Sequence, residues 1–371
     1  MPKWLENLLG SIYSKLPVAI RPPLKRVFLW GLIRLQGWTS GRRVQQGKHV
    51  EFLDFEIAHL EPYEFLSPAA NEVQVRVART TVSPGTERAV LCGLPGARRP
   101  FPYVPGYSAA GEVVAVGKQV RGIAVGDQVA GRVHHSSMET VPAAVLFRVP
   151  RGVAPQSASF IELGIITLQG IRKARISAGD RVAVVGQGLI GQMANRLARA
   201  VGASTVIAVA PSRRRAKTAL AGAGADEFVS LEKGHQVLDH IQADIVIEAV
   251  GTPDAVTTAM QCARTGGKVV LLGSSRGLSR DVDVWSTAQV RGLSIIGAHI
   301  SAMPDREPSP TRWSYRHEGK LFLDLLQAGR LQVEDLITWH AAPDECNAVF
   351  EVLAKGGADQ VAISFDWQRA H

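Results

Sequence analysis

The apolar residues of this chain recur with three different spacings, and each spacing predicts a different architecture. At the start, Trp4, Leu5, Leu8, Leu9, Ile12, Tyr13 and Leu16 fall at i, i+1, i+4, i+5, i+8, i+9 and i+12, one face of a helix. Pro17 and then Pro22-Pro23 interrupt that pattern, and a second run over residues 24–38 mixes Lys25, Arg26 and Arg34 with Val27, Phe28, Leu29, Trp30, Leu32 and Ile33. From about Gly41 the character turns to short strands. Residues 48–53 and 72–78 are β-rich, and NEVQVRVA alternates apolar with polar positions as a half-buried strand does. The segments 82–87 (VSPGTE), 101–117 and 122–131 continue as short pieces punctuated by Gly and Pro, which predicts a compact, barrel-like β domain. After a helical stretch at 155–175, strands alternate with helices: 180–186, 204–210, 243–251, 266–275 and 293–299. That alternation predicts a doubly wound parallel sheet. Helices near 321–327 and 345–355 and a strand at 360–365 close the chain. The expected division is an amphipathic arm (1–41), a β substrate domain (42–160, completed by 300–371) and a dinucleotide-binding α/β domain (161–299).

The rest of the chain is organised around residues 180–202, DRVAVVGQGLIGQMANRLARAVG. An apolar β run (182–185) feeds straight into Gly186-Gln187-Gly188-Leu189-Ile190-Gly191, and a helical stripe of Met193, Leu197 and Val201 follows. Gly186 allows a tight turn, Gly188 lets the backbone approach a pyrophosphate, and Gly191 lets helix and strand pack closely. Free N–H groups and the helix dipole then favour the anion. The strand at 205–209 should end in an acid roughly 20 residues past the fingerprint to bind a ribose 2′-hydroxyl. Ala210 and Pro211 stand there instead, followed by Ser212, Arg213, Arg214 and Arg215. Losing the carboxylate removes repulsion of a 2′-phosphate, and Ser and Arg supply bonds and charge for one. The expected cofactor is therefore NADP(H) rather than NAD(H). Gly251 and Gly273-Ser274 end later parallel strands, where ligands of such sheets bind.

Charge and cysteine content narrow the setting. Of the net +9, residues 1–50 hold nine Lys or Arg against one acid, Glu6, so the remaining 321 residues are nearly neutral. That distribution argues against a nucleic-acid role for the body. Basic, Trp-bearing amphipathic helices lie in membrane interfaces or cover apolar grooves. Residues 1–40 are thus expected either to contact a membrane surface peripherally or to pack on the enzyme body or a dimer partner. Cys92, Cys262 and Cys346 lie far apart with no CxxC, which argues against a disulfide scaffold and a cysteine-built zinc site and fits a reducing cytoplasm. No apolar run reaches the length of a membrane span.

The order PGYSAAGEVVAVG, GDQVAG, the dinucleotide unit, ADIVIEAVG and GGKVVLLG resembles the medium-chain dehydrogenase/reductase superfamily over residues 42–368. The resemblance implies a GroES-like β-barrel substrate domain, a Rossmann domain, a cleft between them and a homodimer joined through Rossmann sheet edges. VSPGTE, PGYSAAG and ELGIITLQGIR look most like a zinc-lacking branch that includes bacteriochlorophyllide dehydrogenase-like proteins. In zinc-dependent relatives a Cys ligand stands where this chain has Pro84, and a Gly-His-Glu motif matches Gly106-Tyr107-Ser108. Glu162 matches a remaining ligand position, but one carboxylate cannot hold a catalytic zinc, which needs about three protein ligands. No metal is expected.

Without a Lewis acid, hydride transfer needs donors at the developing oxyanion and a proton source. By resemblance, Thr86 matches a hydroxyl that relays a proton to substrate oxygen. Tyr107 puts a phenol where a ligand stood, either donating to a carbonyl or filling the vacated volume. Glu162 either transfers protons from the cleft or serves as a buried acceptor, and Glu87 orients a neighbour or the backbone. Ser83 and His134 are further pocket candidates, His134 and His135 being equally compatible with surface positions. The reading is a zinc-independent, NADP(H)-dependent oxidoreductase that passes hydride to a carbonyl or activated C=C of an apolar, biosynthetic substrate. Two alternatives stand: oxidation of a secondary alcohol on a large hydrophobic, membrane-held molecule, and a nucleotide-binding peripheral membrane protein without turnover.

Overall fold

The computed structural model describes residues 21–274, 278, 282–304, 314–357 and 359–369; the helix expected from Trp4 to Leu16 lies outside them. The first described element is helix α1 (Arg21–Ser40). Its Pro22 and Pro23 fall in the first turn, where a missing N–H breaks no helical bond, so the prolines begin this helix. The C-terminal half of α1 rests on an antiparallel hairpin, β1 (Val44–Asp54) and β2 (Ile57–Leu66). Gly37 permits that approach, since a Cβ there would lie 3.0 Å from the Arg42 carbonyl oxygen and 3.1 Å from Leu66.

A seven-stranded sheet forms the barrel-like unit. Its members are β3 (Glu72–Val82), β4 (Ala109–Val116), β5 (Gln128–Gly131), β6 (Met138–Pro142), β7 (Leu146–Arg148), β14 (Ile337–Ala341) and β15 (Ala362–Asp366). The order runs β14-β15-β3-β4-β5-β7, with β6 also paired to β3. The chain's last strand lies antiparallel to β3, Ile363 opposite Val82 and Asp366 opposite Arg79, so the C-terminal segment completes the N-terminal sheet. Inward-facing Val73, Val75, Val77, Val113, Val129 and Phe365 close the core with Phe350 from the 346–354 helix. Val82 ends β3, and the segment 83–87 that follows is not a strand. Pro84 cannot donate to a ladder but fits a first helical turn, and Pro84–Leu91 forms helix α2. Residues 104–108 likewise run irregularly before β4 begins.

The second unit is a six-stranded sheet of β8 (Arg181–Val185), β9 (Thr205–Ala210), β10 (Glu227–Ser230), β11 (Ala243–Glu248), β12 (Ala263–Leu271) and β13 (Ser294–Gly297). All pairings are parallel and the order is β10-β9-β8-β11-β12-β13. The order reverses between β8 and β11, the topological switch point at which such sheets bind ligands. Alternate residues of each strand bury into separate cores on the two faces: Val182 and Val184 with Ile245 and Ile247 on one, Ala183 and Val185 with Ile207 and Val246 on the other. Burial on both faces explains why these strands read as continuous apolar runs. Helix α3 (Ile161–Ala174) joins the units: its N-terminus meets the barrel and its body packs on β12 and on the helix after β8. Among the described residues no helix is long and apolar enough to cross a membrane.

Candidate active site and cofactor cradle

The fingerprint folds as strand, turn and helix. Gly186 follows β8 at φ +96°, in the left-handed region open to glycine, and Gly188 caps helix α4 (Leu189–Ala200). A Cβ on Gly191 would sit 1.8 Å from the Gly186 carbonyl oxygen, which leaves room for no other residue. A Cβ on Gly188 would meet one atom only, Arg215 Nη1 at 3.6 Å, so the turn is open there to an incoming group. Leu189 is buried and Ile190 half-buried on the core side of α4. The Gln187 side chain turns inward, donating to the Val184 carbonyl (2.9 Å) and accepting from Asn195 (2.9 Å), so it is the backbone of this residue that faces the turn. Val201 lies past the end of α4 and is 40% exposed, outside the buried stripe.

The neighbouring strand ends converge on this turn. Gly251 lies at φ +84°, and a Cβ there would meet the Ser274 carbonyl oxygen at 2.6 Å; one on Gly273 would meet the Gly251 nitrogen at 2.5 Å. Glu248, fully buried, accepts from the Val250 and Gly251 amides, both at 2.7 Å, and burial raises its pKa against those two bonds. At the end of β9, Ala210 is buried, Ser212 half-buried, and Arg213 and Arg214 exposed. Arg213 lies over the Phe228 ring, 5.8 Å from its centroid. Arg215 turns the other way. It donates to the Gln187 carbonyl (3.4 Å), Gly357 carbonyl (3.2 Å) and Gln360 carbonyl (2.7 Å), tying the fingerprint to the chain that leads into β15. Burial lowers its pKa.

The barrel supplies the other group of candidates. Thr86 is exposed in the first turn of α2, Ser83 is buried just before it, and Glu87 is buried just after. Glu87 Oε1 accepts from the Ser83 amide at 2.8 Å. The half-buried Tyr107 lies in the irregular segment before β4, near enough to the Ser83 and Thr86 hydroxyls and to the Glu87 and Glu162 carboxylates for all four to act on its phenol. Burial is the largest influence and, with both carboxylates, pushes the phenol up to about 12; the two hydroxyls oppose the shift. Ser83, Thr86, Glu87, Tyr107 and Glu162, expected from the sequence, therefore gather around one phenol.

Glu162, in the first turn of α3, is 1% exposed. One oxygen accepts the Tyr315 hydroxyl and the other the Arg132 guanidinium at 3.3 Å, while Arg132 lies 5.0 Å over the Tyr315 ring. Burial raises the carboxyl's pKa, against Arg132 and Tyr315, which lower it. The geometry is that of a buried acceptor. His134 departs from the pocket expectation: it points outward, its ring 2.7 Å from Glu139. His135 is the inward histidine. It has no exposed surface, and it bridges Thr80 Oγ1 (2.7 Å) and Glu87 Oε2 (2.9 Å), with Trp367 donating to the same Thr80 oxygen at 3.1 Å. Arg132 and Tyr315 were not reached from the sequence, Arg215 was expected with its neighbours at a 2′-phosphate but turns to backbone carbonyls, and His135 was named only beside His134. Only His135 carries a local signal, two residues past buried Val133 in an in-out alternation. Among the described residues no group of three or more His, Cys, Asp or Glu could hold a metal ion.

A barrel-like β unit carrying a cluster of buried polar side chains, followed by a doubly wound sheet with a glycine cradle, is a two-domain oxidoreductase architecture. Two family models match: the alcohol dehydrogenase GroES-like domain over residues 69–146 and the zinc-binding dehydrogenase over 190–313. D-guloside 3-dehydrogenase of Escherichia coli K12 is 30% identical over 242 residues, covering 62% of this chain and 68% of the relative. L-threonine 3-dehydrogenase of Paraburkholderia phytofirmans is 26% identical over 338 residues, covering 81% and 93%. Among solved structures, a putative zinc-binding dehydrogenase of Sinorhizobium meliloti bound to NADP superposes with TM-score 0.73 at 23% identity, covering 87% of this chain and 99% of that one. The chain belongs to the medium-chain dehydrogenase/reductase superfamily and is an oxidoreductase.

Proposed function

We propose that this oxidoreductase uses NADP(H), works without a catalytic zinc, and reduces a carbonyl or activated C=C of an apolar substrate of biosynthesis. The observation that carries the reading is the phenol of Tyr107, close to the Ser83 and Thr86 hydroxyls and standing, by the resemblance of Gly106-Tyr107-Ser108 to a Gly-His-Glu motif, where zinc-dependent relatives place a ligand. Pushed up to about 12, it stays protonated at neutral pH and can donate to a substrate oxygen. The donor set does not fit zinc. Pro84 offers no ligand atom, both nitrogens of His135 are engaged, and both oxygens of Glu162 are engaged by Arg132 and Tyr315.

A bound nicotinamide would supply the hydride, and the cradle fits such a dinucleotide. Gly186 and Gly191 shape the turn, the open side of Gly188 receives the pyrophosphate, and Gly251, Gly273 and Ser274 border the switch point. Ala210 puts no acid at the end of β9, and Ser212 with the exposed Arg213 and Arg214 is available to a 2′-phosphate, although Glu232 accepts from the Arg213 amide at 3.4 Å and would have to turn away from a bound phosphate. The same reading includes a homodimer joined at β13, which ends the six-stranded sheet with Ile295 46% exposed.

A second reading, oxidation of a secondary alcohol, is favoured by the relatives, which are named as 3-dehydrogenases. Taking a proton from an alcohol would need a phenolate or a relay past Tyr107, so the raised pKa favours reduction near neutral pH. The test is calorimetric titration of metal-analysed protein with NADPH and NADH, followed by steady-state assays of Tyr107→Phe in both directions. Tighter NADPH binding, no stoichiometric zinc and a large loss of kcat in Tyr107→Phe are expected. Preferential NADH binding or a zinc-dependent rate would overturn the reading.

A further inference from the structure

Helix α1 presents an unusual outer face. Its inner side, Trp30, Ile33 and Gly37, lies toward the β1–β2 hairpin, and Arg34 clamps the helix down by donating Nε to Glu64 Oε2 (2.9 Å) and Nη2 to Glu64 Oε1 (2.5 Å). A surface helix should be polar on the opposite side. Here a flank turned away from the hairpin carries Val27, Gly31, Leu35 and Trp38, spaced i, i+4, i+8 and i+11, with Phe28 beside them. Val27 is 68% exposed, Leu35 55% and Trp38 83%, and nothing lies within 4 Å of where a Gly31 Cβ would be. Among the described residues the stripe is therefore apolar and uncovered.

Charge separates the occupants such a stripe could take. The helix sequence contains Arg21, Lys25, Arg26 and Arg34 and no acid, and Arg43 and Lys48 follow it, both exposed. Residues 1–50 carry nine basic groups and one acid on an otherwise nearly neutral protein. Two copies meeting on this face would bring like charges together, whereas interface cores are depleted of charge. An anionic bilayer surface satisfies both features, taking the apolar stripe and Trp38 into the headgroup–acyl boundary and attracting the flanking cations. Clamped by Arg34 and Gly37, the helix would hold the enzyme body at a fixed attitude to that surface.

We propose that the outer face of α1, Val27-Gly31-Leu35-Trp38 with its basic flanks, docks the protein on anionic lipid. The proposal does not depend on the cofactor or the reaction. The test is flotation of the full chain with phosphatidylcholine vesicles, with and without phosphatidylglycerol, at low and high salt. The comparison variant is Leu35→Glu/Trp38→Glu, two exposed substitutions remote from the candidate site, with sedimentation velocity run on both proteins. The expected result is flotation only with phosphatidylglycerol, weakened by salt, and reduced about tenfold or more in the variant at unchanged sedimentation. Absence of flotation, or flotation unaffected by the double substitution, overturns the proposal. A larger wild-type assembly that the double substitution dissolves overturns it as well and makes a second copy the occupant.

Discussion

His135→Ala tests how the site is supported, because the structure makes its cost large and specific. The ring is wholly buried and bridges Thr80 and Glu87, and Glu87 is itself 3% exposed. Removing the ring leaves Thr80 with its Trp367 donor (3.1 Å) and Glu87 Oε1 with the Ser83 amide (2.8 Å), but Glu87 Oε2 loses the imidazole. Stranding one member of a buried polar pair costs about 3–5 kcal/mol. The vacated volume beside Phe365, whose ring centroid is 5.2 Å away, adds to that. At about 2–4 °C per kcal/mol for units of this size, the apparent Tm should fall by roughly 6–20 °C. Calorimetric scans of His135→Ala, Glu87→Ala and the double variant form the assay. Once Glu87 is gone no carboxylate is stranded, so the double variant should be more stable than the sum of the singles requires, by about 1–3 kcal/mol. Activity should fall mainly in kcat, because Glu87 positions Ser83, which acts on the Tyr107 phenol. A Tm change under about 2 °C, which this scale equates to less than about 1 kcal/mol, or strict additivity in the cycle, refutes the argument.

Three further outcomes are expected. Gly191→Ala puts a methyl 1.8 Å from the Gly186 carbonyl oxygen, so the turn must open; dinucleotide affinity should fall at least about tenfold, or 1.4 kcal/mol, by titration, and unchanged affinity would sink the close-approach account. Arg215→Lys keeps a cation but loses the fork that reaches three carbonyls, so NADPH binding should weaken and Tm drop by about 1–3 kcal/mol equivalent; a silent variant would mean the tether does not matter. Glu162 titrates higher folded than unfolded, so the native state holds its proton longer and this group's contribution declines as pH rises from about 4.3 through the raised folded value. The Tm difference between Glu162→Gln and wild type should therefore shift in the variant's favour from acid to neutral pH, and a difference independent of pH would contradict the assigned direction.

What could be read from the sequence follows the range of the interactions involved. The six-stranded sheet was legible because burial on both faces writes uninterrupted apolar runs such as 182–185 and 206–209, and because the glycines at 186 and 191 meet constraints set within a few residues. The helix at Pro84–Leu91 was not, since VSPGTE shares its Gly and Pro punctuation with turns between strands, and the packing of Ala89, Val90 and Leu91 decides the matter. The site divides along the same line. Ser83, Thr86 and Glu87 are neighbours in the chain, and Tyr107 shows itself by substituting for an expected type. Tyr315 reaches Glu162 across 153 positions and Arg215 reaches Gln360 across 145, and no local pattern announces either contact. The choice between His134 and His135 is the instructive intermediate case. Both have the same chemistry and nearly the same neighbours, and the irregular backbone after β5, where the His135 amide donates to the Pro105 carbonyl at 3.2 Å and its carbonyl accepts from the Val50 amide at 2.8 Å, sends one to Glu139 at the surface and the other to Glu87 in the interior. The support of Tyr107 therefore rests as much on the two backbone bonds that fix His135, to Pro105 and to Val50, as on the identity of the histidine.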